Sequence, residues 1–286
     1  MPKKTSKVPI RNIIVVSDTH FGSKLALISP EGAELDDGGL YMPSRLQLKL
    51  WEMWLEFWES WVPQVTHGEP YCVVHNGDVI EGVHHGDTTN WSANPKDQCR
   101  HAEKVLKPVV DACDGRFYLV RGTEAHSGKS CQEEESMGKN LGAIPNEDGQ
   151  FARWELWLRV GGATGPLCHF LHHIGTTSSA AHETSAVNAE LAAMYAEAGR
   201  YSNEPPRIVV RSHRHRSSEV RMPNNDGYAA CLVTAAWQLK TPFAYKVAGA
   251  RVTTPQIGGA LIRLGDEELY TRLKVWNIER SKIEEV

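Results

Sequence analysis

Ile13-Ile14-Val15-Val16-Ser17-Asp18-Thr19-His20 carries four β-branched apolar residues straight into a carboxylate and an imidazole. The apolar run is short and does not alternate, which suits a strand buried on both faces. On a continuing strand, residues i and i+2 point the same way, so Asp18 and His20 could meet one ion. In isolation the pair is weak, because many strands end in an Asp that caps the next turn.

The pattern recurs. Tyr71–Val74 leads into His75-Asn76-Gly77-Asp78, and Phe117–Val120 leads into Arg121-Gly122-Thr123-Glu124-Ala125-His126. Cys168–Leu171 leads into His172-His173, and Ile208–Val210 into Arg211-Ser212-His213-Arg214-His215. Five apolar runs thus end in residues that bind metals or move protons, which is where open α/β sheets place their sites.

The chain has 286 residues, enough for one large domain or two small ones. The strand ends span Asp18 to His215 and are expected to converge, so residues 1–286 are read as one domain, with 1–9 a polar tail. No apolar run reaches the length of a membrane span, and no signal-peptide pattern opens the sequence. None of the six cysteines forms a CxxC pair, which removes zinc-ribbon and thioredoxin-type readings and favours a reducing, cytoplasmic setting. A net charge of −4 does not describe a wholesale nucleic-acid binder, although a local basic groove would not show in the sum.

Punctuated by glycine and proline, Phe21–Pro43 reads as a loop walling the site. Ser44 caps a helix to about Trp61, whose Leu50, Trp51, Trp54, Phe57, Trp58 and Trp61 stripe reads as core rather than as a base-stacking surface. A second loop, Val79–Ala93, carries Glu81, His84, His85, Asp87 and Asn90, which could hold a substrate phosphate or add to a metal shell. Asn94-Pro95 opens the next helix, and Pro108 is expected to kink or divide it. Ser127–Gln150 reads as a third long loop and Phe151–Val160 as one strand. A helix is expected from Ser178 or Ser179 to Arg200. Strand-like runs at Ala229–Ala235, Gly259–Leu264 and Tyr270–Ile278 are read as completing a second sheet.

Taken together, Asp18-x-His20, Gly77-Asp78, the Gly122 motif, His172-His173 and His213-x-His215 resemble the calcineurin-like metallophosphoesterases over about residues 10–220. The resemblance implies an α/β fold of two mixed β-sheets packed face to face with helices outside, in four layers. It also implies two divalent metal ions that share a bridging hydroxide. Asp18, His20 and His215 would hold the first ion, Asp78 would bridge, and His213 with His172 (or else His173) would hold the second. Mixed imidazole and carboxylate donors suit manganese above all, with iron, zinc or nickel as alternatives. The family's third motif is Gly-Asn-His; here Glu124, or else Thr123, is expected to replace the missing Asn oxygen and His126 to act as general acid. Arg214 would be structural or contact phosphate. The second motif lacks the Asp-Arg-Gly of protein phosphatases, and Ser17–Gly22 is similar to repair nucleases and phage-encoded phosphoesterases of the family. The expected activity is therefore hydrolysis of phosphodiesters, with DNA or a nucleotide as substrate and no membrane partner. A phosphomonoesterase or an inactive scaffold of the same fold is the alternative. The expected location is the cytoplasm, the host's if the gene is carried by a phage.

Overall fold

The computed structural model describes residues 9–84, 86, 88–175, 179–247, 250–266, 268–278 and 283–285. In chain order these form β1 (Asn12–Val16), β2 (Ala33–Glu34), β3 (Leu40–Tyr41) and α1 (Arg45–Leu55), which runs through a π-helical stretch (Glu56–Trp61) into α2 (Val62–Thr66). Next come β4 (Tyr71–Asn76), α3 (Pro95–Ala112), β5 (Phe117–Val120), α4 (Glu124–Ser127), α5 (Gln132–Leu141), β6 (Ala152–Arg153), β7 (Leu156–Arg159) and β8 (Leu167–Phe170). The chain ends with α6 (Glu183–Tyr201), β9 (Ile208–Arg211), β10 (Ser218–Asn224), β11 (Gly227–Val233), β12 (Gln256–Leu264) and β13 (Leu269–Asn277).

Two mixed sheets result, ordered β13-β12-β1-β4-β5-β6 and β10-β11-β9-β8-β7. β1, β4 and β5 run parallel, as do β8, β9 and β11. Alternating side chains explain the layering. Ile13 and Val15 of β1 meet Phe170, Ile208 and Val210 between the sheets. Ile14 and Val16 point the other way, into a core with Leu50, Trp54, Phe57 and Leu106 of the helices. On the far side Val209, Cys231 and Val233 pack on Val187 and Leu191 of α6. Strands buried on both faces need the unbroken apolar runs seen in the sequence, and the outcome is helix, sheet, sheet, helix, the expected four layers.

The tryptophan helix is core. Trp54 and Phe57 are buried, and Trp51, Trp58 and Trp61 pack partly buried against them. Ser44 caps it through a reciprocal pair with Gln47. All six cysteines are free, and among the described residues no helix is long and apolar enough to cross a membrane.

Three expectations need correction and a fourth is narrowed. Pro108, expected to kink or divide α3, does not divide it, since the helix runs through. Pro108 is exposed, so the carbonyl it leaves unbonded can face water. The cost of about 3 kcal/mol is outweighed by burying Val105, Leu106, Val109 and Val110 at about 1.5–3 kcal/mol each. The supposed loop 127–150 contains α5, ended by Gly142 in the left-handed region. Glu133 and Glu135 in its first turn complement the helix dipole. The strand expected over 151–160 is two strands, because the chain crosses there from the first sheet (β6) to the second (β7). Finally, β10 and β11 lie in the second sheet, but β12 and β13 lie in the first, where β12 pairs antiparallel with β1 and covers an edge that would otherwise be open.

Candidate metal centre

The parallel strands β1, β4 and β5 and the strands β8 and β9 all point their carboxyl ends at one place. Asp18, Asp78, Thr123, His172 and His213–His215 follow those ends and meet there. The side chains do not converge by strand pleating, as expected. β1 stops at Val16 and β9 at Arg211. Asp18, His20, Asp78, His213 and His215 instead adopt left-handed backbone, with φ of 51°, 45°, 53°, 73° and 55°. That conformation costs roughly 1–2 kcal/mol per non-glycine residue and persists only where surroundings fix it. Backbone bonds do so: Asp18 N–H donates to Gly77 O (3.0 Å) and His20 N–H to Asp78 O (3.2 Å).

Two glycines make room, one for a carboxylate and one for an imidazole. A Cβ on Gly122 would lie 2.1 Å from Asp78 Oδ1, and one on Gly77 would lie 2.5 Å from His172 Nδ1. Thr123 then holds Asp78 in place. Its backbone N–H and its hydroxyl both donate to Asp78 Oδ1, at 2.7 and 3.1 Å. Asp78 Oδ2 is left facing His172 Nε2 (3.0 Å), His126 Nε2 (3.8 Å) and His213 Nδ1 (4.0 Å). Asp18 is held by a directed chain of hydroxyls. Asn76 Nδ2 donates to Ser212 Oγ (2.7 Å), Ser212 to Thr234 (2.8 Å), Thr234 to Ser17 (2.6 Å), and Ser17 to Asp18 Oδ2 (2.5 Å). Each hydroxyl has one proton, so fixing the two ends fixes every direction. The chain ties both sheets to one carboxylate. Asp18 Oδ1 is surrounded by Nε2 of His215 (3.4 Å), His20 (3.9 Å) and His172 (4.0 Å).

Two groups of donor atoms, each within 4.8 Å of one another, follow: Asp18, His20 and His215, and Asp78, His172 and His213. A third, His20, Glu81 and His126, adjoins them. The geometry asks for a cation. Among the described residues, Asp18 Oδ1 and His172 Nε2 are buried without an aligned hydrogen bond. His172 Nδ1 lies 2.6 Å from the Asn76 carbonyl, so it carries the proton, and a neutral His172 turns a lone pair toward Asp78. His20 Nε2 and His215 Nε2 face each other at 3.0 Å. The charge balance agrees. Burial opposes ionisation, yet His172 and its imidazole neighbours hold Asp18 and Asp78 below the usual carboxylate range. Against burial, the two carboxylates in turn push His172 up to about 10. Positive charge is needed there, as a proton or as metal ions, and this nitrogen-and-oxygen donor set fits manganese, iron or zinc.

Glu81 organises the adjoining group. Its Oε2 lies 3.0 Å from His20 Nδ1 and accepts from Gln238 Nε2 at 2.7 Å. Oε1 is 3.5 Å from His84 Nε2, and its carbonyl is 2.7 Å from His126 Nδ1. His126 therefore carries its proton on Nδ1 and presents Nε2 to Asp78. Burial lowers it to about 4, leaving it neutral at pH 7. This favours a ligand or proton acceptor over the proton donor expected.

Not every expected residue reaches the centre. Glu124, expected to replace the missing Asn, is exposed at the start of α4 and joins none of the groups; Thr123, the other candidate, is the one set against Asp78. His172 enters the centre, while His173 stacks on His213 with ring centroids 4.6 Å apart. Arg214 is tied to the carbonyls of Glu183 and Gly175. Asn90 holds the Gly82 carbonyl (2.6 Å). His85 and Asp87 lie outside the described residues.

A cavity of about 450 Å³ opens over His20, Asp78, His213 and His215. Among the described residues, Phe21–Pro43 lends it no wall; Ile28 and Ala33 of that stretch pack instead on Trp91. The wall comes from residues within 238–247 and 250–255.

No protein-family model matches the chain, and no curated protein does. Solved structures are similar to it at low identity. A conserved uncharacterized protein and predicted phosphoesterase from Streptococcus pneumoniae is 12% identical, over 93% of this chain and 98% of that one, with a TM-score of 0.34. Vacuolar Protein Sorting 29 from Cryptosporidium parvum is 11% identical, over 94% and 100%, with a TM-score of 0.36. The sulfate thiohydrolase SoxB from Thermus thermophilus is 10% identical, over 93% of this chain and 56% of that one, with a TM-score of 0.38.

Proposed function

We propose that the chain is a metal-dependent phosphoester hydrolase that acts on the phosphodiesters of DNA or nucleotides. One observation carries the reading: the Asp18–His20–His215 and Asp78–His172–His213 groups lie side by side, with His20, Asp78, His213 and His215 lining a cavity. Asp18, His20 and His215 would hold one divalent ion and His172 and His213 a second, with Asp78 shared and manganese the first choice. Bound there, two ions would polarise the phosphoryl oxygens and acidify a water.

The chain's own residues do the rest. The Asn76–Ser212–Thr234–Ser17 chain and Thr123 hold the two carboxylates. The Asn76 carbonyl fixes the proton of His172 on Nδ1, and the Glu81 carboxylate, 3.0 Å from His20 Nδ1, draws the His20 proton to that nitrogen. Hydrolysis breaks the P–O bond to the leaving group and forms one from water, whose proton ends on the departing oxygen. His126 Nε2, unprotonated and 3.8 Å from Asp78, would accept a proton or add a ligand.

The test is turnover of bis-p-nitrophenyl phosphate against p-nitrophenyl phosphate with added Mn²⁺, in wild type and Asp78→Asn. Faster turnover of the diester, lost by orders of magnitude together with bound metal in the variant, is expected. Preference for the monoester would make the chain a phosphomonoesterase, and turnover of neither would make it a binding scaffold.

A further inference from the structure

From the metal groups the cavity continues along residues 238–247 and 250–255 and changes character. Leu239, Phe243, Ala244, Val247, Ala250 and Pro255 line that part, and Phe243 is half exposed. The segment is anchored to the centre, since Gln238 donates to Glu81, the carboxylate beside His20.

The cations lining the cavity among the described residues are Arg214, Arg216 and Lys240, and each is engaged. Arg214 donates to the carbonyls of Glu183 and Gly175. Arg216 grips both oxygens of the Glu183 carboxylate, at 2.6 and 3.1 Å. Lys240 donates to the carbonyls of Arg251 (2.7 Å) and Thr253 (2.9 Å). A long nucleic acid is bound through many phosphate contacts from free Lys and Arg, and this mouth offers little of that. Its volume of about 450 Å³ is that of a small-molecule site, which spans roughly 300–1,000 Å³.

We propose that the wall formed by Leu239, Phe243, Ala244, Val247, Ala250 and Pro255 is a subsite for one flat, apolar ester group of nucleoside size, so that the substrate is a small nucleotide phosphodiester and not a DNA strand. The proposal rests on phosphate binding at the metal groups, as above.

Two esters with the same leaving group test it: methyl p-nitrophenyl phosphate and thymidine 5′-(p-nitrophenyl phosphate), each with Mn²⁺. The expected result is a kcat/KM ratio of roughly tenfold or more for the thymidine ester, carried by KM, and a severalfold fall of that ratio in Phe243→Ala, since one aromatic–base stack is worth about that much. Ala244→Phe, which fills the wall, should also lower the ratio. A ratio near one, unchanged in both variants, would overturn the subsite. So would an oligothymidylate cleaved more efficiently than the thymidine ester, with an affinity that falls steeply with salt. Binding of thymidine 5′-monophosphate against inorganic phosphate, followed by calorimetry on the Mn²⁺-loaded protein, reads the wall without turnover. Tighter nucleotide binding that weakens in Phe243→Ala, in a protein that hydrolyses neither ester, would refute the hydrolase reading and leave the subsite standing. Equal binding of the two would refute the subsite alone.

Discussion

Glu81 Oε2 lies 3.0 Å from His20 Nδ1, with both side chains buried. A carboxylate behind an imidazole fixes which ring nitrogen carries the proton and makes the other a better donor to metal. Glu81→Gln keeps the shape and the Gln238 contact but removes the charge. Metal affinity should fall about 10–100-fold, measured by competition with a chelating indicator. The melting temperature of the metal-free protein serves as the control for folding. Unchanged affinity would reduce Glu81 to a packing residue.

The neutral ring of His126 leads to a kinetic expectation. A general acid would matter for an alkyl phosphodiester, whose alkoxide needs a proton, and hardly for a p-nitrophenyl ester. A ligand or proton acceptor would matter for both. His126→Ala should therefore slow the two esters alike, and metal content should drop with the rate if His126 is a ligand. Glu124→Ala should change neither, because Glu124 is exposed and outside the groups. A loss confined to the alkyl ester would restore His126 as general acid.

Glu134 sits behind Gly122 and accepts its N–H at 2.9 Å. Burial pushes its carboxyl up from 4.5 to about 7. A folded-state value above the unfolded one means that its stabilisation is fully present below pH 4.5 and lost as pH rises through about 7. Ionised Glu134 thus costs the fold on the order of 3 kcal/mol at pH 8. Glu134→Gln retains an acceptor for Gly122 and should flatten this part of the stability curve. Urea denaturation of the metal-free protein at pH 5 and pH 8 measures it. The variant should gain on wild type at pH 8 and not at pH 5, and an equal difference at both would contradict the assignment.

Much of this architecture is legible in the sequence because strands buried on both faces must be largely apolar runs, as β1, β4, β5, β8 and β9 are. Asp18, Asp78, His172, His213 and His215 stand out because each lies within a few residues of the end of such a run. Other features are hidden. β12 looks like any apolar strand, and nothing local says that it returns to β1 and not to β11. The helix α5 hides behind Cys131, whose side chain makes no cap, so it lacks the usual start signal. Glu81 lies three residues past Asp78 in a loop rich in polar groups, and only the fold brings it to His20. Thr123 outweighs Glu124 because residue 123 is the one set against Asp78 when Gly122 packs on that carboxylate. Charge points to Glu124, the third residue of the motif, but position sets Thr123, the second, against Asp78.

The central claim is that this chain holds two metal ions in two defined groups. Anomalous scattering from crystals grown with Mn²⁺, collected on both sides of the manganese edge, tests it most directly. Two peaks per chain are expected, one among Asp18, His20 and His215 and one among Asp78, His172 and His213, with Asp78 within reach of both. A single peak shared by His213 and His215, or no peak at either group, would contradict it.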